Sequence, residues 1–230
     1  MSVRGLLLTA LVAGLLAGLA FFAVQSVTTR PLFVRAELIE QAELHATPGQ
    51  PHEHEWEPEA GIERTAYTMT ADVLIGVGYA FLLLGAVSLS GRTLNPLTGL
   101  AWGAAGFVVF VAAPALGLPP EPPGGHAADL LARQVWWLGT AAATAAGLWL
   151  LLMQDRRWLW LAGAMLLVLP HGIGAPQLAE AEAPGELAAP FLWASLAANA
   201  ALWAALGLAA GRLHPVFNRP PIGPVFGARA

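Results

Sequence analysis

Three histidines lie in one acidic stretch of this 230-residue chain: His45, His52 and His54 occur among eight glutamates between residues 37 and 63. His52 and His54 alternate with glutamates in a proline-interrupted run, so we expect an extended segment with both imidazoles on one edge. Imidazole and carboxylate groups bind divalent transition metals, and the absence of cysteine excludes thiolate ligands. The stretch predicts capture of a divalent cation; the alternative is an acidic loop that is only solvated.

Two more histidines follow at later breaks between apolar runs. His126 comes shortly after Glu121, which lies in a proline-rich and therefore stiff segment. His171 lies in a run that contains two prolines and two glycines. We therefore predict five metal-binding histidines, namely His45, His52, His54, His126 and His171.

Polar residues also occur in or beside the apolar runs, where they are costly unless they face the interior of a bundle. Asp129 and Arg133 are one helical turn apart and can form an ion pair, and Thr140 and Thr144 continue that face. In the alternative reading, the threonines bond their own backbone, and isolated polar residues bond a neighbouring helix. We predict a transport path lined by polar side chains: Asp72, Glu121, Asp129, Arg133, Gln134 and Asn199.

Long apolar runs must position these residues. Hydrophobic residues make up 57% of the chain and charged residues 11%, a composition typical of integral membrane proteins. The pattern predicts an all-α, polytopic membrane protein in which residues 1–230 form a single transmembrane domain with an external acidic loop at 28–66. We expect a six-helix bundle with spans at Gly5–Val24, Ala71–Ser90, Leu97–Leu116, Val135–Met153, Trp158–Pro176 and Leu192–Gly211.

Charge is sorted between the two ends of this predicted bundle. One end of the bundle is expected to carry most of the arginines. At that end Asp155 is the only acidic residue and His214 the only histidine. The positive-inside rule then places both termini in the cytoplasm and the acidic segments outside. In the alternative, the first span is a cleaved signal peptide and five spans remain. The apolar core of the first span is, however, long for a signal peptide.

The fifth span contains an unusual sequence, Pro170-His-Gly-Ile-Gly-Ala-Pro176. Proline and glycine oppose a regular helix, so we expect the backbone to break at membrane depth near His171. Broken helices often coordinate ions in transporters. The alternative is a helix that ends at Leu169 and leaves His171 at the membrane interface.

Several function classes are disfavoured. The chain has no lysine, so it lacks the standard phosphate-binding loop of ATPases, and it has no His-Glu-x-x-His metalloprotease motif. We predict no enzymatic activity and no nucleic-acid partner. Any ATP-driven step must belong to another chain.

Five segments carry a family resemblance, in order over nearly the whole chain: Glu63–Tyr67, Gly99–Gly103, Ala113–Gly124, Asp129–Trp137 and Leu169–Pro176. They resemble the CbtA family of predicted cobalt transporter subunits. The resemblance implies a multi-pass protein of the bacterial inner membrane that takes up Co²⁺ for cobalamin synthesis, without a permanently bound cofactor. It also implies a small partner subunit, CbtB, with a single membrane helix. For this chain itself the resemblance implies five membrane helices, whereas we expect six. Ni²⁺ or another divalent ion would suit the same ligands. A homo-oligomer and a non-permeating accessory role stay open.

Overall fold

The computed structural model describes residues 2–46, 58–123, 128–176 and 185–218. These ranges contain helices and connecting turns without any strand, which confirms the all-α prediction. Seven helices lie within them: α1 (Val3–Val27), α2 (Thr29–Ala46), α3 (Ile62–Ser90), α4 (Pro96–Ala115), α5 (Leu130–Met153), α6 (Arg157–Ile173) and α7 (Gly185–Phe217).

Five of the described helices, α1, α3, α4, α5 and α7, are long and apolar enough to cross a membrane. They correspond to five of the six predicted spans. The remaining span, predicted at Trp158–Pro176, corresponds to α6, which has 17 residues. At 1.5 Å per residue α6 extends about 25 Å, slightly less than a typical hydrocarbon core of about 30 Å. The inside or outside placement of the ends stays a prediction.

Local sequence sets several of the helix ends. α3 ends at Gly91, which has a φ of 65° that suits a glycine C-cap. α4 begins after Asn95, whose side chain accepts hydrogen bonds from the backbone N–H groups of Leu97 and Thr98. Pro96 then occupies the first helical position, where its missing N–H costs nothing. α3 therefore ends and α4 begins where the sequence interrupts the apolar pattern.

The acidic segment at 28–66 is helical over much of its described length. α2 follows α1 after a single intervening residue and lies beside the first turns of α3. The Arg64 guanidinium forms a bidentate ion pair with Glu37 and lies 5.5 Å from the centre of the Phe33 ring. Arg30 donates a hydrogen bond to the Thr65 hydroxyl at 3.0 Å. This segment is thus partly a helix tied to the bundle, and its position outside the membrane stays a prediction.

Glycines bring the backbones of neighbouring helices together. A Cβ atom on Gly76 of α3 would lie only 2.4 Å from the carbonyl oxygen of Gly14 on α1, and one on Gly99 of α4 would lie 2.2 Å from that of Gly207 on α7. In lipid, where water does not drive apolar surfaces together, such contacts allow extensive van der Waals packing. Helix packing therefore explains the glycine pairs that are four residues apart in the sequence, namely Gly14 with Gly18, Gly99 with Gly103 and Gly207 with Gly211.

An aromatic cluster fills the centre of the bundle formed by α1, α3, α4 and α7. Trp203 of α7 is buried, and its ring stacks on Phe110 of α4 at 5.6 Å and contacts Tyr79 of α3 at 4.7 Å. The indole fits because Gly106 has no side chain; a Cβ there would lie 2.1 Å from the Trp203 ring. Most of the large buried apolar residues surround this cluster.

α5 and α6 form a separate antiparallel pair. Their closest approach is at Gly147 and Gly163, where a Cβ on either glycine would lie 2.8 Å from the carbonyl oxygen of the other. The pair contacts the rest of the bundle through the second half of α4, where residues Val108–Ala112 form a π-helical turn. π-Helical turns inside α-helices are frequently found at functional sites.

The predicted backbone break in the fifth span is wrong, and so is the alternative in which the helix ends at Leu169. α6 continues through Pro170 and His171 to Ile173. Pro170 lies in the last turn and removes only one helical hydrogen bond, while the Gly174 N–H donates to the Pro170 carbonyl oxygen at 3.1 Å. The helix ends at Gly174, whose φ of 87° suits glycine.

Two neighbouring glycines of α3 allow a matched test of the packing. Replacement Gly76→Ala should destabilise the protein by about 1–3 kcal/mol, because the added methyl overlaps the α1 backbone. Gly78→Ala should be neutral or slightly stabilising, because nothing lies within 4 Å of a Cβ there. Thermal unfolding of both purified variants in the same detergent measures the difference, and equal melting temperatures would contradict the glycine contact.

Candidate metal-transport site

The described part of the chain includes the side chain of one of the five predicted metal-binding histidines. His52, His54 and His126 lie outside the described residues, so the extended conformation predicted around His52 stays a prediction. His45 lies in the last turn of α2, and its side chain is also outside the described set. Among the predicted ligands, His171 is therefore the one whose surroundings can be analysed.

His171 lies in the last turn of α6 and is half-buried. The edge of its ring contacts Trp136 of α5, with the ring centroids 6.0 Å apart. Trp136 also packs against the end of α4, because a Cβ on Gly117 would lie 2.4 Å from its ring. The Trp136 Nε1 is buried and has no hydrogen-bond partner among the described residues. Thus α4, α5 and α6 meet around one indole next to the histidine.

The ion pair predicted between Asp129 and Arg133 does not form. Asp129 is instead the N-cap of α5, and its carboxylate accepts a hydrogen bond from the backbone N–H of Ala132 at 2.9 Å. The unpaired N–H groups at a helix start are fixed and close, whereas pairing with Arg133 would require a long side chain to be ordered. The carboxylate therefore contributes to the start of α5 at the end of the bundle that carries His171.

Three other predicted path residues lie near this end of the bundle. Glu121 is exposed in the connection after α4, Gln134 is exposed on the first turns of α5, and Arg133 is half-buried there. Their exposure is compatible with contact to water or to lipid headgroups. The structure thus places Glu121, Asp129, Arg133, Gln134 and His171 in the same region without bringing them into a common ligand shell.

Asp72 lies in a different interface. It is 5% exposed and is located where α3 crosses α1, and the Gln25 side chain donates a hydrogen bond to its Oδ1 at 3.2 Å. The Oδ2 is buried without a hydrogen-bond partner among the described residues. Asp72 therefore keeps one unused acceptor oxygen inside the bundle, which is rare and costly for a carboxyl group in a membrane span.

Asn199 does not bond a neighbouring helix in the structure. Its side-chain amide donates to the backbone carbonyl of Ser195, one turn earlier in α7, at 2.9 Å. This local bond satisfies part of its hydrogen-bonding capacity within its own helix. The structure therefore gives Asn199 no specific contact with the other predicted path residues.

No group of three histidine, aspartate or glutamate side chains within residues 2–46, 58–123, 128–176 and 185–218 is arranged to hold a metal ion. The predicted path residues fall instead into two places, the α4–α5–α6 end around His171 and the α1–α3 crossing at Asp72. Four of the predicted histidines lie in segments whose side chains are not described. A complete ligand set would need groups from those segments or from another chain.

Comparison with known protein families gives a match over most of the chain. The model of a family described as "Probable cobalt transporter subunit (CbtA)" matches residues 3–214. The chain belongs to the CbtA family. No curated protein and no solved structure matches it. The resemblance found in the sequence is therefore confirmed, and the five long apolar helices agree with a multi-pass membrane protein.

The family match covers the described bundle of this CbtA protein up to His214, three residues before the end of α7, and includes Asp72, Asp129, His171 and Asn199. Sequence reasoning did not anticipate the Gln25 contact to Asp72 or the Trp136 contact to His171. Neither pair is close in sequence, so only helix packing reveals them. A glutamine in the last turn of an apolar helix was the available signal for the first pair.

The capping role of Asp129 can be separated from a role in transport. Asp129→Ala should lower stability by about 1 kcal/mol because the N-terminal N–H groups lose their acceptor, whereas Asp129→Ser should retain most of it. Thermal unfolding of the two variants in detergent is the measurement. Equal loss in both variants would contradict the capping role. Loss of metal uptake in the stable serine variant would show a need for the carboxylate itself.

Proposed function

We propose that this CbtA protein is the membrane subunit of a divalent metal uptake system, with Co²⁺ as the transported ion. The family match over residues 3–214 is the observation that carries the proposal, because the family is described as a probable cobalt transporter subunit. We further propose that the system operates in the bacterial inner membrane and supplies cobalt for cobalamin synthesis. CbtB, as a small single-helix subunit, is the proposed partner.

The distribution of charge supports a collecting role for one end of the bundle. Within the described residues, Glu121, Asp129 and His171 lie at the end opposite Asp155 and His214. In the proposal the acidic end faces outward and raises the local cation concentration. His45, His52 and His54, with the neighbouring glutamates, capture the ion, and His126 and His171 receive it at the bundle surface.

Polar residues inside the bundle are the proposed continuation of this route. Asp72 offers a carboxylate oxygen that no described group uses. Arg133, Gln134 and Asn199 complete the set predicted from the sequence. The His171 imidazole is half-buried and adjacent to a helix interface, so it can pass a cation between water and the bundle interior. Weak, successive ligands suit transport, because a permeating ion must leave each site.

A second candidate is a non-permeating accessory protein that assembles or supplies a separate metal transporter. The observation that favours it is the lack of a three-ligand cluster among the described His, Asp and Glu side chains. In this case the acidic end would deliver the ion to another chain, and a homo-oligomer or CbtB would provide further ligands.

Reconstitution distinguishes the two candidates. The purified chain is placed in liposomes that contain a Co²⁺-sensitive dye, alone and together with CbtB. A transporter subunit that conducts the ion should produce Co²⁺ entry in at least one of these preparations. If neither preparation admits Co²⁺ while the chain still binds the ion, the accessory role is favoured and the uptake proposal fails.

Two histidines at opposite ends of the bundle provide a matched mutational test. His171→Ala should lower the initial rate of Co²⁺ entry at least about tenfold. Loss of an outer-shell partner of a metal ligand already costs on the order of 10–100-fold in metal affinity or activity, and loss of the ligand itself should cost no less. His214→Ala, at the arginine-rich end, should leave entry within about twofold because it lies away from the proposed route.

The same liposome assay measures both histidine variants, after their melting temperatures have been shown to match that of the parent protein. Unchanged entry in His171→Ala would remove His171 from the mechanism. Equal loss in both variants would indicate a general effect on the bundle instead of a specific site.

A further inference from the structure

A cavity of about 450 Å³ lies between α3, α4 and α5. The space is left because α5 packs against α4 around Val108–Ala112, whereas the first half of α4 packs against α7. α3 forms the third wall, and Trp203 of α7 also lines the cavity. We call this space the α3–α4–α5 cavity. It is formed where the α5–α6 pair diverges from the core.

The walls of the α3–α4–α5 cavity are apolar over most of their length. Apart from Arg92, Thr93 and Thr98, the lining residues are apolar or aromatic. Along α4 the lining residues run from Thr98 to Phe110, a rise of about 18 Å. A hydrocarbon core of about 30 Å has two leaflets of about 15 Å each. The cavity therefore has the depth of about one leaflet.

The polar lining residues lie together at the arginine-rich end of the bundle. Arg92 and Thr93 belong to the connection between α3 and α4, and Thr98 belongs to the first turn of α4. The Arg92 Nη2 donates a hydrogen bond to the Leu152 carbonyl oxygen, near the end of α5, at 3.2 Å. A guanidinium has five N–H donors, and no carboxylate within the described ranges forms an ion pair with Arg92. Arg92 therefore has further donors for an acceptor at this end of the cavity.

The α3–α4–α5 cavity is open on the side between α3 and α5. Leu82 of α3 and Leu152 of α5 both line it, and these residues are 54% and 58% exposed. Both lie in helices that are long and apolar enough to cross a membrane, so the opening faces lipid. Apolar cavities do not hold water favourably, whereas a hydrocarbon chain can fill them. The cavity is therefore suited to an acyl chain.

Positive charge surrounds the polar end of the cavity. Arg156 and Arg157 lie at the start of α6, directly after the short connection from α5, and Arg212 lies on α7 beside the start of α4. Like Arg92, these arginines are exposed, and Asp155 is the acidic residue next to them. This end is therefore positively charged. Basic sites between membrane helices bind anionic lipid headgroups, whose charge is opposite.

We propose that the α3–α4–α5 cavity binds an anionic phospholipid, with one acyl chain between the helices and the headgroup phosphate on Arg92. Arginine forms strong and often bidentate hydrogen bonds with phosphate. Thr93 lines the same end of the cavity, and its hydroxyl can donate to the same phosphate. The bound lipid joins the α3–α4 connection to α5 and so holds the α5–α6 pair against the core. This inference does not depend on the proposed uptake function.

The helix of a partner subunit is the other occupant to consider, and the depth of the cavity disfavours it. A membrane-spanning helix would need contact over about 30 Å. The α3–α4–α5 cavity extends over little more than half of that distance, because α5 closes on α4 at Val108–Ala112. An acyl chain from one leaflet ends near that level. The cavity therefore matches a phospholipid better than a helix.

The lipid preference of the unmodified protein is the first test. The purified chain in detergent is titrated with phosphatidylglycerol or with phosphatidylethanolamine that carries the same acyl chains, and native mass spectrometry gives the Kd of the first bound lipid. Phosphatidylglycerol should bind at least about fivefold more tightly, because each arginine near an anionic headgroup contributes about that factor. Equal Kd values for the two lipids would overturn the proposal.

Two arginines at the same end of the bundle separate a site at the cavity from a general effect of charge. Arg92→Gln should weaken the binding of phosphatidylglycerol about fivefold, because the phosphate loses its guanidinium partner. Arg4→Gln removes an equal charge from α1, which does not line the cavity, and should change the Kd by less than about twofold. Equal losses in the two variants would contradict a headgroup site at Arg92.

Two neighbouring alanines of α4 test the position of the acyl chain. Ala105 lines the cavity, whereas Ala104 is exposed elsewhere on the helix. Ala105→Phe should weaken the binding of phosphatidylglycerol at least about fivefold, because the ring occupies the space of the chain. Ala104→Phe should change the Kd by less than about twofold. Unchanged binding in Ala105→Phe, or equal losses in both variants, would place the lipid outside the cavity and overturn the proposal.

Melting temperatures in the same detergent verify that each variant is folded. If Arg92→Gln is unstable because its bond to Leu152 is lost, the alanine pair and the comparison of the two lipids still decide the outcome. Co²⁺ is absent from every sample, so the result is independent of whether the chain transports that ion.

Discussion

Close backbone contact between helices is the constraint on which the rest of the bundle depends. The α1–α3, α4–α7 and α5–α6 interfaces each bring a glycine to within the distance at which a Cβ would overlap the neighbouring backbone. Inside lipid, packing at such distances replaces the hydrophobic drive that operates in water. Because these crossings occur at defined residues, they also set which polar side chains meet, as Gln25 and Asp72 do beside the α1–α3 crossing.

The arrangement separates a compact core from a more polar pair of helices. α1, α3, α4 and α7 surround the aromatic cluster of Trp203, whereas α5 and α6 join α4 through its π-helical turn. Three buried polar atoms on α5, those of Trp136, Thr140 and Thr144, have no hydrogen-bond partner among the described residues.

Much of the fold could be predicted because each membrane span is recognisable from one continuous stretch of sequence. Apolar runs of about 20 residues and the breaks between them located five long helices and the shorter α6. The candidate site was less predictable. Asp129 and Arg133 had the spacing of an ion pair, but the nearby N–H groups at the start of α5 bind the carboxylate instead. Pro170 suggested a broken helix, yet a proline in the last turn removes only one bond.

The sequence by itself determined the membrane class, the positions of the apolar helices but not of α2, the sorting of charge between the two ends and the family, because each depends on residue type and order along the chain. Tertiary structure decided the partners: Gln25 for Asp72, Trp136 for His171, and Arg64 for Glu37. It also decided that the hydroxyls of Thr140 and Thr144 are buried without a hydrogen-bond partner among the described residues. Such pairings depend on where antiparallel helices cross, which is set by glycine contacts between distant segments and not by local sequence.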